Sequence, residues 1–243
     1  MCYNVVMVDL KTITPNNLWY VIGLIVTDGN LSKDGRHMSI TSKDRQYLFY
    51  IRRALGLTVK IGRKSRGGSR KKNYSSLQFG DVKFYKYLLE IGLTPNKSLT
   101  LGVLKIDEVY FHDFLRGVID GDGSINSWIH KTNRHEQWAL RIISGSFKFI
   151  GWLQKMSFQY FNAIGRVHVY PKRAHHNELY VLKFGKIAAK IIIDNCYYGN
   201  CLSLNRKLKK TVECLKSYRG WSRYSIMQSP GAEIGRQPRL KIE

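Results

Sequence analysis

Two segments of this chain carry one pattern. Residues 19 to 30 read Trp-Tyr-Val-Ile-Gly-Leu-Ile-Val-Thr-Asp-Gly-Asn, and residues 114 to 126 read Phe-Leu-Arg-Gly-Val-Ile-Asp-Gly-Asp-Gly-Ser-Ile-Asn. Each is a short apolar run with an interior glycine that ends in Asp-Gly and a turn. Gly23 matches Gly117, and Asp28 matches Asp122. Self-similarity at this spacing marks a duplicated unit. A duplicated helix with a carboxylate at its end predicts two half-sites meeting at a pseudo-twofold axis. That pairing suits chemistry on both strands of one duplex.

The elements around these segments recur in one order. Thr14 before Pro15 reads as an N-cap with proline at the first helical position. A helix is predicted from there to Asp28, stopped by Gly29. Residues 37 to 41 read as extended. Residues 43 to 55 carry Tyr47, Leu48, Ile51, Ala54 and Leu55 at a helical period. Residues 58 to 63 and 74 to 79 alternate as strands, and residues 84 to 91 read as a helix. The second half predicts a helix over 111 to 122, a strand over 138 to 143 and a helix over 147 to 161. Strands over 165 to 170 and 179 to 184 follow, then a helix over 187 to 195. One more strand per copy, within 30 to 37 or 124 to 130, is weakly signalled. The expected fold is α/β of the α+β kind: two copies of α-β-β-α-β-β-α. Residues 1 to 104 form the first half, 105 to 227 the second, and 228 to 243 a tail with little fixed structure. Trp19, Trp138 and Trp152 fall on predicted elements and read as core.

Charge indicates what this fold meets. The chain has 40 basic residues against 17 acidic ones, a net +23. Such a charge repels itself, so a polyanion is the expected partner, with nucleic acid the commonest. Charge alone would also fit a ribosomal or membrane-surface role. No apolar run reaches membrane-spanning length, and no secretory signal pattern opens the chain. Cys2, Cys196, Cys201 and Cys214 lack metal-ligand spacing and read as reduced thiols of an intracellular protein, in the cytoplasm, the nucleoid or an organelle matrix.

Both repeated helices end in a carboxylate, against the partial negative charge of a helix C-terminus. Two carboxylates brought together repel further. A divalent cation between them removes both penalties, and carboxylate oxygens select hard ions: Mg2+ first, Mn2+ as a substitute. The interior glycines let two helix backbones approach closely. Asp120 could assist the metal, yet it has no counterpart in the first half and ranks below Asp122. Residues 120 to 131 also fail as a calcium loop, since Ile125 and Lys131 stand where Gly and Glu are needed.

These residues resemble the LAGLIDADG homing endonucleases, in the single-chain form with two motifs. Residues 21 to 29 match the first motif and 115 to 123 the second, with Val26 where the motif has its earlier acid. The resemblance runs to about residue 223. It implies two antiparallel sheets forming a saddle that straddles double-stranded DNA in the major groove. It implies metal-dependent hydrolysis of one phosphodiester in each strand, leaving 3′ overhangs, with Asp28 and Asp122 as metal ligands. Ca2+ is expected to support binding without cleavage. It also implies a catalytic lysine in each half, Lys97 and Lys207, the latter with Arg206 and Lys209 as rivals. Such a lysine stabilises charge on the phosphate or orders the attacking water. The family's water-positioning glutamine is replaced: Ser42 and Gly145 stand nearest its places.

Two basic stretches fit the DNA-reading role. The first holds Lys60, Arg63, Lys64, Arg66, Arg70, Lys71 and Lys72 with no acid among them. The second holds Arg166, His168, Lys172 and Arg173, with Tyr170, His175 and His176 beside them. An antiparallel ribbon can lie in the major groove, where base-pair edges are distinguishable, while most basic contacts go to phosphates. A solvated loop explains any one of these residues, but poorly explains the matched pair. The expected protein is a monomeric, site-specific endonuclease with a long asymmetric target. Two alternatives share the scaffold: a maturase binding intron RNA, and a non-catalytic DNA-binding regulator. Acids at both helix ends favour cleavage.

Overall fold

The computed structural model describes residues 8, 13–65, 73–132, 134–172 and 177–217. The first half runs α1 (Pro15–Thr27), β1 (Gly29–Leu31), β2 (His37–Ser42), α2 (Arg45–Ala54), β3 (Ile61–Lys64), β4 (Tyr74–Gly80) and α3 (Val82–Glu90). The second runs α4 (Phe111–Asp122), β5 (Gly123–Ile129), β6 (Glu136–Ser144), α5 (Phe147–Phe161), β7 (Gly165–Tyr170), β8 (Leu179–Phe184), α6 (Lys186–Cys196) and α7 (Asn205–Lys216). Each half builds one antiparallel four-stranded sheet, ordered β1-β2-β4-β3 and β5-β6-β8-β7. The α+β repeat is thus as expected from the sequence.

Some local expectations need correction. The strand expected from residue 58 begins at Ile61, so Lys60 precedes β3 instead of lying on it. The weakly signalled strand has three residues in the first half and seven in the second. Helix α7 was not foreseen. Thr14 is the N-cap residue of α1 but makes no side-chain cap bond, so Pro15 is the effective start. The tail from 228 to 243 lies outside the described residues.

The core follows from alternation and period. Ile40, Leu77 and Ile142 point from the sheets into buried space between less buried strand neighbours, and Leu182 is buried beside Val181. Helix α1 is buried continuously from Trp19 to Val26, and α4 from Asp113 to Asp120. They can be buried because they pack on each other. A Cβ on Gly23 would stand 2.1 Å from the Phe114 carbonyl oxygen, and one on Gly117 would stand 2.0 Å from that of Tyr20. Only glycine permits this approach. Gly29 follows the end of α1, as expected, but neither it nor Gly123 makes a left-handed turn. Instead each helix leads straight into a strand, with Gly123 extended at φ −77° and ψ 155°. A Cβ at Gly29 would come within 2.6 Å of Ile25 Cα, so that glycine answers crowding by the last helical turn.

Among the described residues no helix is long and apolar enough to cross a membrane. Cys196 and Cys214 are buried, Cys201 is half-buried, and all three are free thiols. Trp19, Trp138 and Trp152 are core residues, as expected.

Candidate active site and nucleic-acid interface

The α1–α4 crossing carries its two C-terminal ends side by side. Asp28 caps α1 and Asp122 closes α4, and both are exposed. Their neighbours touch: Gly121 faces Thr27, leaving no room for a Cβ, which would meet Thr27 Oγ1 at 1.8 Å. Thr27 turns that hydroxyl back onto the carbonyls of Gly23 and Leu24, at 3.2 and 3.1 Å.

Two buried lysines complete the neighbourhood. Lys97 donates to the Gly29 carbonyl at the end of α1. Lys207 donates to the carbonyls of Ile119, Asp120 and Gly121 at the end of α4, at 2.6, 2.6 and 2.9 Å. A cation at a helix C-terminus meets unpaired carbonyls and the negative dipole end together. Its rivals Arg206 and Lys209 are exposed. Burial pushes Lys97 below the usual lysine value, opposed by Asp122 and Asp28. Burial pushes Lys207 down to about 8, reinforced by Arg206 and opposed by Asp120, Asp28 and Asp122. Each lysine therefore feels both repeat carboxylates. Lys97 and Asp122 line one small cleft, together with Thr27, Ser144 and Gly145.

The places of the absent glutamine are occupied otherwise. Ser42 Oγ accepts from the Asp44 amide at 3.1 Å, and Asp44 caps α2. Gly145 packs on Leu99 and the Ser98 carbonyl, tying the Lys97 segment to the second half. Asp120 is no metal ligand: it is buried, and both of its oxygens accept bonds from inward groups. His112 pairs with Asp113 at 2.9 Å, and Asp113 with the buried Arg116 at 2.7 Å. Burial raises Asp113, but His112 and Arg116 outweigh it and hold the carboxyl below its usual value.

The outward sheet faces supply the second component. Of the expected DNA contacts, Lys60, Arg63, Lys64, Arg166, His168 and Lys172 are exposed. Arg66, Arg70, Lys71, Lys72 and Arg173 lie outside the described residues. The register adds residues that the linear reading missed. Across the second sheet Ser124, Arg141, Lys183 and Arg166 stand in one row. Trp128 lies against this row, its ring 5.9 Å from Arg141 and 5.7 Å from Lys183. The first sheet has a row at the same register, counted from the glycine that opens each sheet, made of Asn30, Ser39 and Gln78. Like charges directly opposite one another destabilise a sheet. Three cations in line are therefore best satisfied by a polyanion lying across them.

No protein-family model matches the sequence, and no curated protein matches it. Solved structures do match. The homing endonuclease I-WcaI bound to its DNA recognition sequence aligns at TM-score 0.57 and 14% identity, over 82% of this chain and 87% of that one. The LAGLIDADG homing endonuclease I-GzeII in complex with its DNA target aligns at 0.54 and 12%, over 84% and 89%. I-DmoI in complex with DNA and Ca aligns at 0.51 and 16%, over 82% and 97%. Full-length DUF199/WhiA from Thermatoga maritima aligns at 0.48 and 14% over 88% of this chain, which spans 63% of that protein. Identities this low establish the shared fold: two four-stranded antiparallel sheets and their helices, as in LAGLIDADG endonuclease structures.

Proposed function

We propose that this protein is a site-specific DNA endonuclease. It cuts both strands of a long asymmetric duplex in a metal-dependent reaction and leaves 3′ overhangs. The observation that carries this reading is the glycine-faced crossing of α1 and α4. It brings Asp28 and Asp122 to abutting helix ends, within the fields of Lys97 and Lys207. A binding protein has no need of two exposed acids inside a basic surface.

The donor set fits a hard divalent ion. Asp28 and Asp122 are oxygen donors. Among the described residues no cluster of three or more His, Cys, Asp or Glu could hold a metal. Two carboxylates leave room for the phosphate oxygens and waters that Mg2+ retains. Asp28 and Asp122 would hold the ion, which supplies charge neutralisation at the phosphate and a more acidic water. Solved structures of this fold contain DNA, and one contains Ca, which supports the same partners here.

The chain's own groups have distinct tasks. Lys97 and Lys207 present positive charge to the phosphate from dry positions, where it acts most strongly. The Arg141–Lys183–Arg166 row and the loop cations hold the duplex backbone. The Asn30–Ser39–Gln78 row offers donors and acceptors to base edges. Residues 1 to 104 and 105 to 227 would each engage half of the target, in a single monomer.

The test is cleavage-site selection from a randomised duplex library, first with magnesium and then with calcium. Cutting of one family of sequences is expected in magnesium, and binding of the same family without cutting in calcium. Duplexes that are bound but never cut, in magnesium or manganese, would overturn the reading in favour of a regulator.

A further inference from the structure

The two ends of the helix crossing are built differently. Lys207 is clasped by three carbonyls of α4, while Lys97 has the Gly29 carbonyl as its main-chain acceptor among the described residues. The position two residues before each repeat carboxylate differs as well. In α1 that position is Val26, apolar and buried. In α4 it is Asp120. Its Oδ2 accepts from the Tyr20 hydroxyl and the Leu204 amide, each at 2.7 Å, and its Oδ1 accepts from the Tyr197 hydroxyl at 2.8 Å.

Leu204 is the N-cap residue of α7, and its carbonyl accepts from the Lys207 amide at 2.8 Å. The chain of bonds therefore runs from Asp120 through Leu204 to Lys207. A buried carboxylate is costly unless its oxygens are bonded, and here every bond tightens the segment that delivers the lysine. Burial raises Asp120 above the usual carboxylate value, with the donors and Lys207 opposing. Val26 offers the first half no such strut.

We propose that Asp120 is a positioning residue that anchors the start of α7 and holds Lys207 against the end of α4, so that the two strand-cutting centres are unequal. This inference rests on the endonuclease reading for its effect on cleavage, though not for the anchoring itself. One centre has its lysine fixed in advance, and the other has a lysine with fewer main-chain ties. The two strands of the target are then cut at different rates, and Asp120 controls the difference.

The experiment has two arms. The first is single-turnover cleavage of a selected duplex labelled separately on each strand. Asp120→Val is expected to slow one strand about tenfold relative to the other, less than the hundredfold or more for losing a charge-stabilising donor outright, because Lys207 is loosened and not removed. Asp120→Asn keeps the shape and an acceptor, so it should restore the wild-type ratio. In a Lys207→Met background, Asp120→Val should leave the ratio unchanged, because the two residues act as one unit. The second arm follows lysine ammonium signals by heteronuclear NMR in the free protein. The Lys207 signal should be lost in Asp120→Val while that of Lys97 persists.

Equal slowing of both strands, or an undisturbed Lys207 signal, overturns the proposal. Should Asp120→Val fail to fold, Tyr197→Phe replaces it, with a shift of about threefold expected on the same strand. A wild-type protein that binds the duplex and cuts neither strand would refute the endonuclease reading instead. The ammonium arm then decides the anchoring on its own.

Discussion

The two sheets differ at the row that begins beside the helix crossing. In the first sheet it holds Asn30, Ser39 and Gln78, neutral and able to donate and accept hydrogen bonds, with the exposed Lys60 just ahead of β3 at its outer end. In the second it holds Arg141, Lys183 and Arg166, with the Trp128 ring set against two of the cations. The buried residues between these outward positions hardly differ: Ile40 and Leu77 in one sheet, Ile142 and Leu182 in the other. The repeat is thus retained where packing demands it and has diverged where solvent or a ligand is met. Neutral amides and hydroxyls can distinguish bases but attract phosphate weakly. Clustered cations attract phosphate strongly, and only those that reach a guanine edge also read sequence. Under the endonuclease proposal, the Asn30–Ser39–Gln78 row is suited to base edges and the Arg141–Lys183–Arg166 row to phosphates, while each half adds loop or strand cations of its own.

The strongest challenge to this division comes from the centre, where the halves should be equivalent. Asp28→Asn and Asp122→Asn should each lower the cleavage rate by about a thousandfold, or roughly 4 kcal/mol, with binding retained. Full activity in either variant, measured on the selected duplex, removes the paired-ligand assignment. Next in size is the crossing itself. Gly117→Ala and Gly23→Ala should each destabilise the fold by about 3 kcal/mol, since a methyl there meets main-chain atoms that cannot yield locally. Unchanged thermal denaturation of either variant contradicts the close approach.

The rows themselves should separate by salt dependence. Arg141→Ala should weaken binding to all sequences alike and lower the salt slope by about one. Gln78→Ala should cost about 1–2 kcal/mol at one base pair and leave the slope alone. Titrations at several salt concentrations decide this, and exchanged phenotypes would reverse the two roles. The smallest effect concerns Lys207, whose ammonium burial lowers to about 8. Its folded value lies below the unfolded one, so the folded state releases that proton first. Stability should therefore rise as pH climbs from about 8 towards the usual lysine range. Denaturant unfolding at stepped pH should show this rise in the wild type and a smaller one in Lys207→Met, where the buried Lys97 still contributes.

Much of the fold could be read from the chain because the defining signals are local. The predicted bounds of α4, α5, β7 and β8 coincide with those observed, since turns and apolar periods mark both ends. Helix α7 escaped notice because its sequence is dominated by lysines. Its buried residues Lys207, Thr211 and Cys214 are four and three places apart, a helical signal obscured by the charge of one member. Strand β5 extends to Ile129 through exposed residues that carry no inward signal. The paired aspartates and lysines were legible as motifs. The Arg141–Lys183 pairing was not, because strand register alone joins residues so far apart in sequence. Nor was the inward role of Asp120, which depends on hydroxyls from Tyr20 and Tyr197 arriving from two other elements.

The fit of Thr27 into the space left by Gly121 has a consequence for ancestry. Two copies of the first half would drive threonine against threonine, and two copies of the second would face glycine with glycine across a gap. At this contact each half fits its opposite better than its twin. Split at the linker, the pieces should seek one another and form a heterodimer. Making the contact symmetric would mean changing residue 27 or residue 121.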